Sequence, residues 1–386
     1  MTRRGNRVDW LVQSDCDSTF KKTSLGNGCA YIAPTDNGTT RWHRFKKHIY
    51  DLTNDSRILG LVKRNKYDVI QVKDKYLSAI PAIIIAKIFN IKFFYWIAFP
   101  CPEASIYIAK ARESQYWIFY WVRGHFLRFI LYRLIMPFSD HIFVQSEQMK
   151  RDIHKEGIEN EKMTPIQGSL NLNNVPFQAG SDKFGDDGSK NIVYVGTLNR
   201  MRKLDFMLNV FAKVLKKVPD AKLFIIGDGD DPEDKIFLQT EAKKLGIGQS
   251  IVFTGFIAME KAWKYIEKAS VCISPYYPTP ILLSTSPTKL IEYMSMGKAV
   301  VGNEHPEQEC IINDSGAGIC VPWNERSFSK AVIHILTNPK LAKKMGRNGR
   351  LYVEKYRTNQ CMADLVENTY LKFLNRQKNV LSADLQ

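Results

Sequence analysis

From Asn191 to Tyr356 the chain alternates short apolar runs with longer amphipathic ones, and few residues separate them. Asn191–Val195, 222–226 (KLFII), 250–254, 270–274, 298–301 and 318–321 (GICV) read as strands. Between them, 203–217, 233–245, 259–268, 287–296 and 305–313 carry apolar residues at helical spacing. Strands this apolar have no face to give to water, so both faces are covered by helices and the sheet is parallel. Helices over 325–337, 339–356 and 358–376 close the chain. A doubly wound, Rossmann-like unit is the expectation, with ligands bound beyond the carboxyl ends of its strands.

The first half repeats the theme less regularly. Val8–Val12, Val69–Val72, Ile91–Ala98 (IKFFYWIA) and His141–Gln145 are strand candidates, Leu77–Phe89 is an apolar crossover helix, and a further helix follows Ser146. Gly5-Asn6-Arg7-Val8 looks like the entry into a second strand, so this domain either lacks its first strand or is built differently. Residues 171–190 are polar and rich in Gly, Asp and Ser, as a domain boundary would be. The division expected is a first domain over 1–172, a linker over 173–190, a second domain over 191–356, and a terminal helix over 357–386 packed back on the first. The fold class is α/β: two facing Rossmann-like domains with a cleft between them.

At 386 residues the chain has room for two cores. Its formal charge is +16, and Lys and Arg exceed Asp and Glu by ten within residues 1–170. Such a surface attracts nucleic acid, anionic lipid and phosphorylated substrates alike. There is no zinc-finger spacing, RNP-type strand or long basic helix, which turns the reading away from nucleic acid. The seven cysteines lack CxxC spacing and sit mostly in apolar runs, so they read as small core residues in a reducing compartment. No signal-peptide core follows the first residues, and a cytoplasmic location is expected.

The richest stretch is Ser286–Val301, SPTKLIEYMSMGKAVV. Ser286 suits a helix cap, Pro287 the first helical position and Gly297 a stop. A capped helix start offers free N–H groups and a positive dipole end, a natural seat for a diphosphate, and Ser286, Pro287, Thr288 and Lys289 are donor-binding candidates there. Glu292 lies roughly 7–8 Å further along the axis, at about 1.5 Å per residue, where a carboxylate could hold ribose hydroxyls. Many capped helices bind nothing, so this pattern alone does not decide.

Gly196-Thr197-Leu198-Asn199-Arg200-Met201-Arg202-Lys203 follows the first strand of the second domain. Gly196 permits a tight exit, and Arg200, Arg202 and Lys203 could reach phosphates through their donors. The bland alternative is a solvated basic loop. Gly227-Asp228-Gly229-Asp230 reads as a turn. Tyr276 or Tyr277 could stack on a base or line a sugar pocket, or simply pack. His305 and Glu307 lie at the same end of the sheet and could shape a cleft. In the first domain Glu103 follows strand 91–98 and could orient or deprotonate a hydroxyl, or cap a helix; Asp74 is a second carboxylate with a structural alternative. No P-loop, HExxH or GxSxG occurs. Residues 116–138 (YWIFYWVRGHFLRFILYRLIMPF) combine aromatics with Arg123, His125, Arg128 and Arg133. Their charges are too frequent for a transmembrane span, and they suit either an anionic membrane surface or burial against protein.

Taken together, NIVYVGTLNRMRKLDF, AKLFIIGDG, SIVFTGFI, SVCISPYYP and SPTKLIEYMSMGKAVVGNEHPEQECIINDSGAGICVPW resemble the retaining, GT-B-fold glycosyltransferases of family GT4, especially bacterial members building cell-surface polysaccharides. The resemblance covers most of the chain and is strongest over 191–356. It implies a second domain that binds a nucleoside-diphosphate sugar and a first that receives a saccharide or polyprenyl-diphosphate-linked acceptor. Glu292 matches the second glutamate of the family's E-x7-E motif, whose first falls at Ser284. Arg202 takes the place of the usual phosphate-binding lysine, and Thr197 that of an arginine. The family's histidine after strand 91–98 is not evident. The implied chemistry needs no cofactor and no metal ion, with Arg202 and Glu103 as the catalytic candidates. The protein would work in the cytoplasm or peripherally on the inner face of the cell membrane. Two other readings stay open: a sugar-nucleotide epimerase, and a catalytically impaired nucleotide-sugar-binding partner subunit.

Overall fold

The computed structural model describes residues 4–36, 38, 40–112, 115–177, 188–229 and 231–383. Most of the expected linker, 178–187, and Asp230 lie outside these residues. The chain divides into two compact units, and the division is interleaved instead of falling at one cut near 172. The first comprises Met1–Val144, Ile153–Thr164 and Ala363–Gln386; the second comprises Gln145–Asp152 and Pro165–Met362.

In the second unit, six strands form one sheet: β8 (Asn191–Val195), β9 (Lys222–Ile226), β10 (Ile251–Gly255), β11 (Val271–Ser274), β12 (Val300–Asn303) and β13 (Gly318–Val321). Every pairing is parallel, and the spatial order is β10-β9-β8-β11-β12-β13. The chain therefore winds outward one way from β8, then returns to β11 and winds the other way. That reversal between β8 and β11 is the switch point at which open α/β sheets bind ligands. Alternate residues of each strand enter opposite cores. Tyr194, Leu223, Ile225, Ile273 and Val301 join Phe206, Phe211 and Phe328 on one face. Val193, Ile226, Cys272 and Val300 join Leu290, Tyr293, Met294 and Ile311 on the other. Helix starts are set locally, as where Asp231 and Asp234 form a capping box at helix Pro232–Lys244 and Asn324 accepts from the N–H groups of Arg326 and Ser327.

The first unit holds β4 (Val69–Lys73), β5 (Lys92–Ile97), β6 (His141–Val144) and β7 (Met163–Pro165) in that spatial order, with β4, β5 and β6 parallel. Ahead of them stands a separate sheet of β1 (Trp10–Gln13), β3 (Gly28–Ala33) and β2 (Lys21–Leu25), in the order β1-β3-β2. β1 and β3 are parallel, while β2 and β3 form a hairpin. The sequence reading found only the first of these strands. β2 (KKTSL) is exposed at every position, so it carries no alternation to read. The terminal helix Asn359–Ala383 belongs mainly to this unit: the Phe94 ring meets Tyr370 and Phe373 at 4.8 and 5.5 Å, and Arg4 pairs with Asp364 and Glu367.

All seven cysteines are free thiols. Contrary to their reading as core residues, only Cys272 is buried, and Cys16 and Cys310 are exposed.

Candidate functional site

The loop leaving β8 is pinned at two points: Gly196 N–H donates to the Ile226 carbonyl and Leu198 N–H to that of Asp228, both at 2.9 Å. Gly227, at φ +133°, passes so close that a Cβ there would lie 2.2 Å from the Gly196 oxygen. That contact accounts for glycine at position 227. The Thr197 carbonyl accepts from the Tyr194 hydroxyl. A 3-10 turn over Arg200–Arg202 then splits the three expected cations. Arg200 turns onto helix Pro232–Lys244, 3.6 Å from Asp234 and over the Phe237 ring. Lys203 is exposed in a left-handed conformation, φ 48°. Arg202 alone points inward. Its Nε is buried without a hydrogen-bond partner among the described residues, and its charge bears on Lys289, Tyr194 and Tyr276.

Helix Thr288–Ser295 starts differently from the expectation. Pro287 occupies the cap position with φ −80° and ψ 72°, and Thr288 N–H donates to the Ser286 carbonyl, a tight turn instead of a serine cap. The Ser286 hydroxyl is engaged elsewhere, accepting from Gly168 N–H and donating to Glu307 Oε1, each at 2.8 Å. Ser284 is buried, donating to Asp152 at 2.6 Å while its carbonyl accepts from Ser146. Thr288 is exposed. Glycine spacing, proline and serine are identical in both geometries, so sequence alone could not separate them.

Beyond that turn the helix brings Lys289 and Glu292 to the switch point. The Tyr293 hydroxyl accepts from Val195 N–H at 2.7 Å and fixes the helix to β8. Lys289 is only 7% exposed. Its ammonium lies 3.4 Å from the Tyr194 hydroxyl and 4.8 Å from the ring centres of Tyr194 and Tyr276. Burial, then the neighbouring Arg202 charge, holds its pKa well below that of ordinary lysine, against the opposing pull of Glu292. Burial also pushes the Glu292 carboxyl up to about 7, with Lys289 the opposing influence. Among the described residues no salt bridge neutralises Arg202 or Lys289. Two cations from different elements thus influence one another at the sheet's carboxyl end, an arrangement with the chemistry to hold an anion.

Around them lies support that the sequence reading missed. Asn303, at the end of β12, accepts from Tyr276 N–H and donates to its carbonyl, at 2.7 and 2.8 Å. Gln308 donates to the Ser274 and Asn303 carbonyls. Tyr276 is consequently buried beneath Lys289 instead of standing free to stack on a base. His305, expected to shape a cleft, is buried as the cap of helix Pro306–Ser315, and burial lowers its pKa to about 4. Its Nδ1 accepts from Gln308 N–H, so the neutral ring donates from Nε2 to the Leu282 carbonyl. Glu307 is buried too, beside Arg357.

In the first unit, Glu103 sits in the first turn of helix Cys101–Ala111. Tyr132 donates to its Oε1 at 2.9 Å, while Oε2 is buried without a partner among the described residues. Burial raises its pKa. Asp74 accepts from Ala98 N–H and ties the ends of β4 and β5 together. The aromatic segment forms helix Trp117–Phe129 and continues into a π-helical turn, Ile130–Ile135. Arg128 pairs with Glu156 at 2.5 Å, whereas Arg123 and Arg133 stay exposed. No helix among the described residues is long and apolar enough to cross a membrane.

Residues 1–173 match the family described as Glycosyltransferase Family 4, and residues 181–352 match Glycosyl transferases group 1. The alpha-monoglucosyldiacylglycerol synthase of Streptococcus pneumoniae is 26% identical over 302 residues, 76% of this chain and 64% of that protein. The chain thus spans less than two thirds of that relative's length. Sucrose-phosphate synthase from Thermosynechococcus elongatus superposes with a TM-score of 0.69 at 17% identity, covering 96% of this chain and 88% of its own. Anabaena HepE in complex with UDP and glucose gives 0.65 at 12% identity, covering 89% and 86%. At such identities the likeness establishes the fold, which is GT-B.

Proposed function

The chain belongs to the GT4-like glycosyltransferases, and on that premise we propose that it transfers a sugar from a nucleoside diphosphate to a hydroxyl of a saccharide or polyprenyl-diphosphate-linked acceptor, with retained anomeric configuration. The observation that carries this reading is the convergence of Arg202 and Lys289 with no salt bridge to either among the described residues. A diphosphate would supply the missing anion. As the bond from the sugar's anomeric carbon to the diphosphate oxygen breaks, charge grows on that oxygen, and the two cations stabilise it most in the transition state. They supply positive charge of the kind a metal ion supplies elsewhere, so the reaction proceeds in excess EDTA. Glu292 holds the ribose. Glu103 is the carboxylate we assign to the acceptor, taking the proton of a hydroxyl that attacks on the face the diphosphate leaves, which retains the configuration.

A lipid-linked acceptor is favoured by the exterior of the first unit. Trp117, Ile118, Phe119, Trp121, Val122, Phe126 and Phe129 stand exposed on one helix. Helix Arg41–Asp55 adds Trp42, Phe45, Ile49 and Leu52, spaced three and four apart on a single side. With the basic excess nearby, such faces suit the interface of an anionic membrane, and we place the enzyme peripherally on its cytoplasmic side. The test is incubation with UDP-, GDP- and ADP-sugars and a detergent-dispersed polyprenyl diphosphate saccharide, followed by mass spectrometry. A product one sugar heavier supports the reading. Epimerised donor without product, or no turnover with any donor, overturns it.

A further inference from the structure

Three segments of the second unit meet at one buried carboxylate. Glu307 is 6% exposed and Arg357 4%. Glu307 Oε1 accepts from the Ser286 hydroxyl at 2.8 Å and lies 3.3 Å from the Arg357 guanidinium, which also donates to Gln167. Ser286 in turn accepts from Gly168 N–H. Residues 167–170 and 357–359 lie close to where the chain enters and leaves this unit, and they run side by side. Leu170 N–H donates to the Arg357 carbonyl at 3.1 Å, and Asn359 N–H to that of Leu170 at 2.9 Å. The turn that begins the Lys289–Glu292 helix is therefore tied directly to one crossing, through Gly168, and through Glu307 to the other.

We propose that Glu307 is a positioning residue for the sugar-nucleotide donor: by holding Ser286 and Arg357 together it sets the start of the Thr288–Ser295 helix against the two chain crossings. The inference rests on the donor reading given above. Glu307 Oε2 is buried with no hydrogen-bond partner among the described residues. A carboxylate so enclosed and half satisfied weakens the fold, and groups kept at that cost tend to serve a site. The approach at Gly168 is equally close-fitting: a Cβ there would meet Ser286 Oγ at 2.9 Å and the Thr288 methyl at 3.1 Å. Glu307 need not touch the donor for donor affinity to depend on it, because its effect passes through Ser286.

The test is a double-mutant cycle on the full chain, measuring KM for the donor, kcat and melting temperature. Glu307→Gln keeps an acceptor for Ser286 but removes the charge facing Arg357. It raises donor KM about threefold to tenfold with kcat within about twofold, a loss of ground-state positioning. In a Ser286→Ala background the same change has little further effect. Gly168→Ala, which presses on Ser286 from the other side, raises donor KM in the same direction. Equal factors in both backgrounds, or a fall in kcat and melting temperature at constant KM, overturn the inference. If wild type binds none of UDP, GDP and ADP, the donor reading fails and takes this inference with it; normal binding by wild type and Glu307→Gln alike defeats this inference alone.

Discussion

The two units solve the problem of exposed apolar surface in opposite ways. In the second, the large apolar side chains that stand exposed among the described residues are Ile236, Leu245, Val252, Phe256, Leu351 and Tyr356, scattered over several elements. In the first many of them line helices: Trp42, Phe45, Ile49 and Leu52 on one, Leu77, Ile84 and Ile88 on another, and the Trp117–Phe129 set on a third. The charged groups differ as well. The second unit buries Lys289 and Glu307 and half-buries Glu292, while the first half-buries Glu103 and keeps Arg123 and Arg133 in water. Arg202 and Lys289 fit a small anionic guest, and a unit clothed in aromatics and cations fits an amphiphilic partner.

The sharpest way to break this contrast is at the buried cations. Arg202→Ala and Lys289→Ala should each lower kcat/KM by about 10²–10³-fold, the usual cost of removing one transition-state charge partner. Losses below about threefold would remove the anion-site assignment. Glu292 offers a two-sided test. Its carboxyl sits near 7 in the folded chain against 4.5 when unperturbed, so folding favours the protonated form. Its charge therefore costs stability that grows as pH rises from 4.5 through about 7. Glu292→Gln should weaken donor binding yet stabilise the protein at pH 8 by about 2 kcal/mol, with no gain near pH 4. Equal melting shifts at both pH values would contradict that sign.

Smaller effects sharpen the other side. Replacing Trp117, Phe119 and Trp121 together by serine should reduce partitioning onto anionic vesicles about tenfold, while turnover of a detergent-dispersed acceptor stays within about twofold. Equal loss in both assays would mean the aromatics hold the fold together. Smallest is Tyr293→Phe, which removes the hydroxyl that accepts from Val195 N–H and should cost about 1–2 kcal/mol in chemical denaturation.

Much of the second unit was legible because its strands are apolar on both faces and its helices periodic; each expected strand there appears within two residues at either end. Arg202 was marked from its place after the first strand of the unit and Glu292 from its place on the 287–296 helix, whereas the Lys289 side chain had no role in the sequence reading. What escaped was set by tertiary contacts. Ser286 looks like a cap from its neighbours, and only Glu307 and Gly168, distant in sequence, show that its hydroxyl is used elsewhere. Arg357 lies in a charged helix end with no local mark. Tyr194 reads as one more apolar strand residue, and its hydroxyl matters only because Lys289 reaches it. The exposed β2 strand and the π-turn at Ile130–Ile135 carry no period at all.

Isothermal titration of UDP, GDP and ADP, run in buffers of differing ionisation enthalpy, bears most directly on the claim that Arg202 and Lys289 await a diphosphate. Burial, then Arg202, lowers the Lys289 pKa, and an arriving anion raises it. At least one of these nucleotides should bind, and most of its affinity, with any proton uptake that accompanies it, should vanish in the Arg202→Ala, Lys289→Ala double variant. Failure of all three to bind, or equal binding by the double variant with no proton uptake in either, would contradict it.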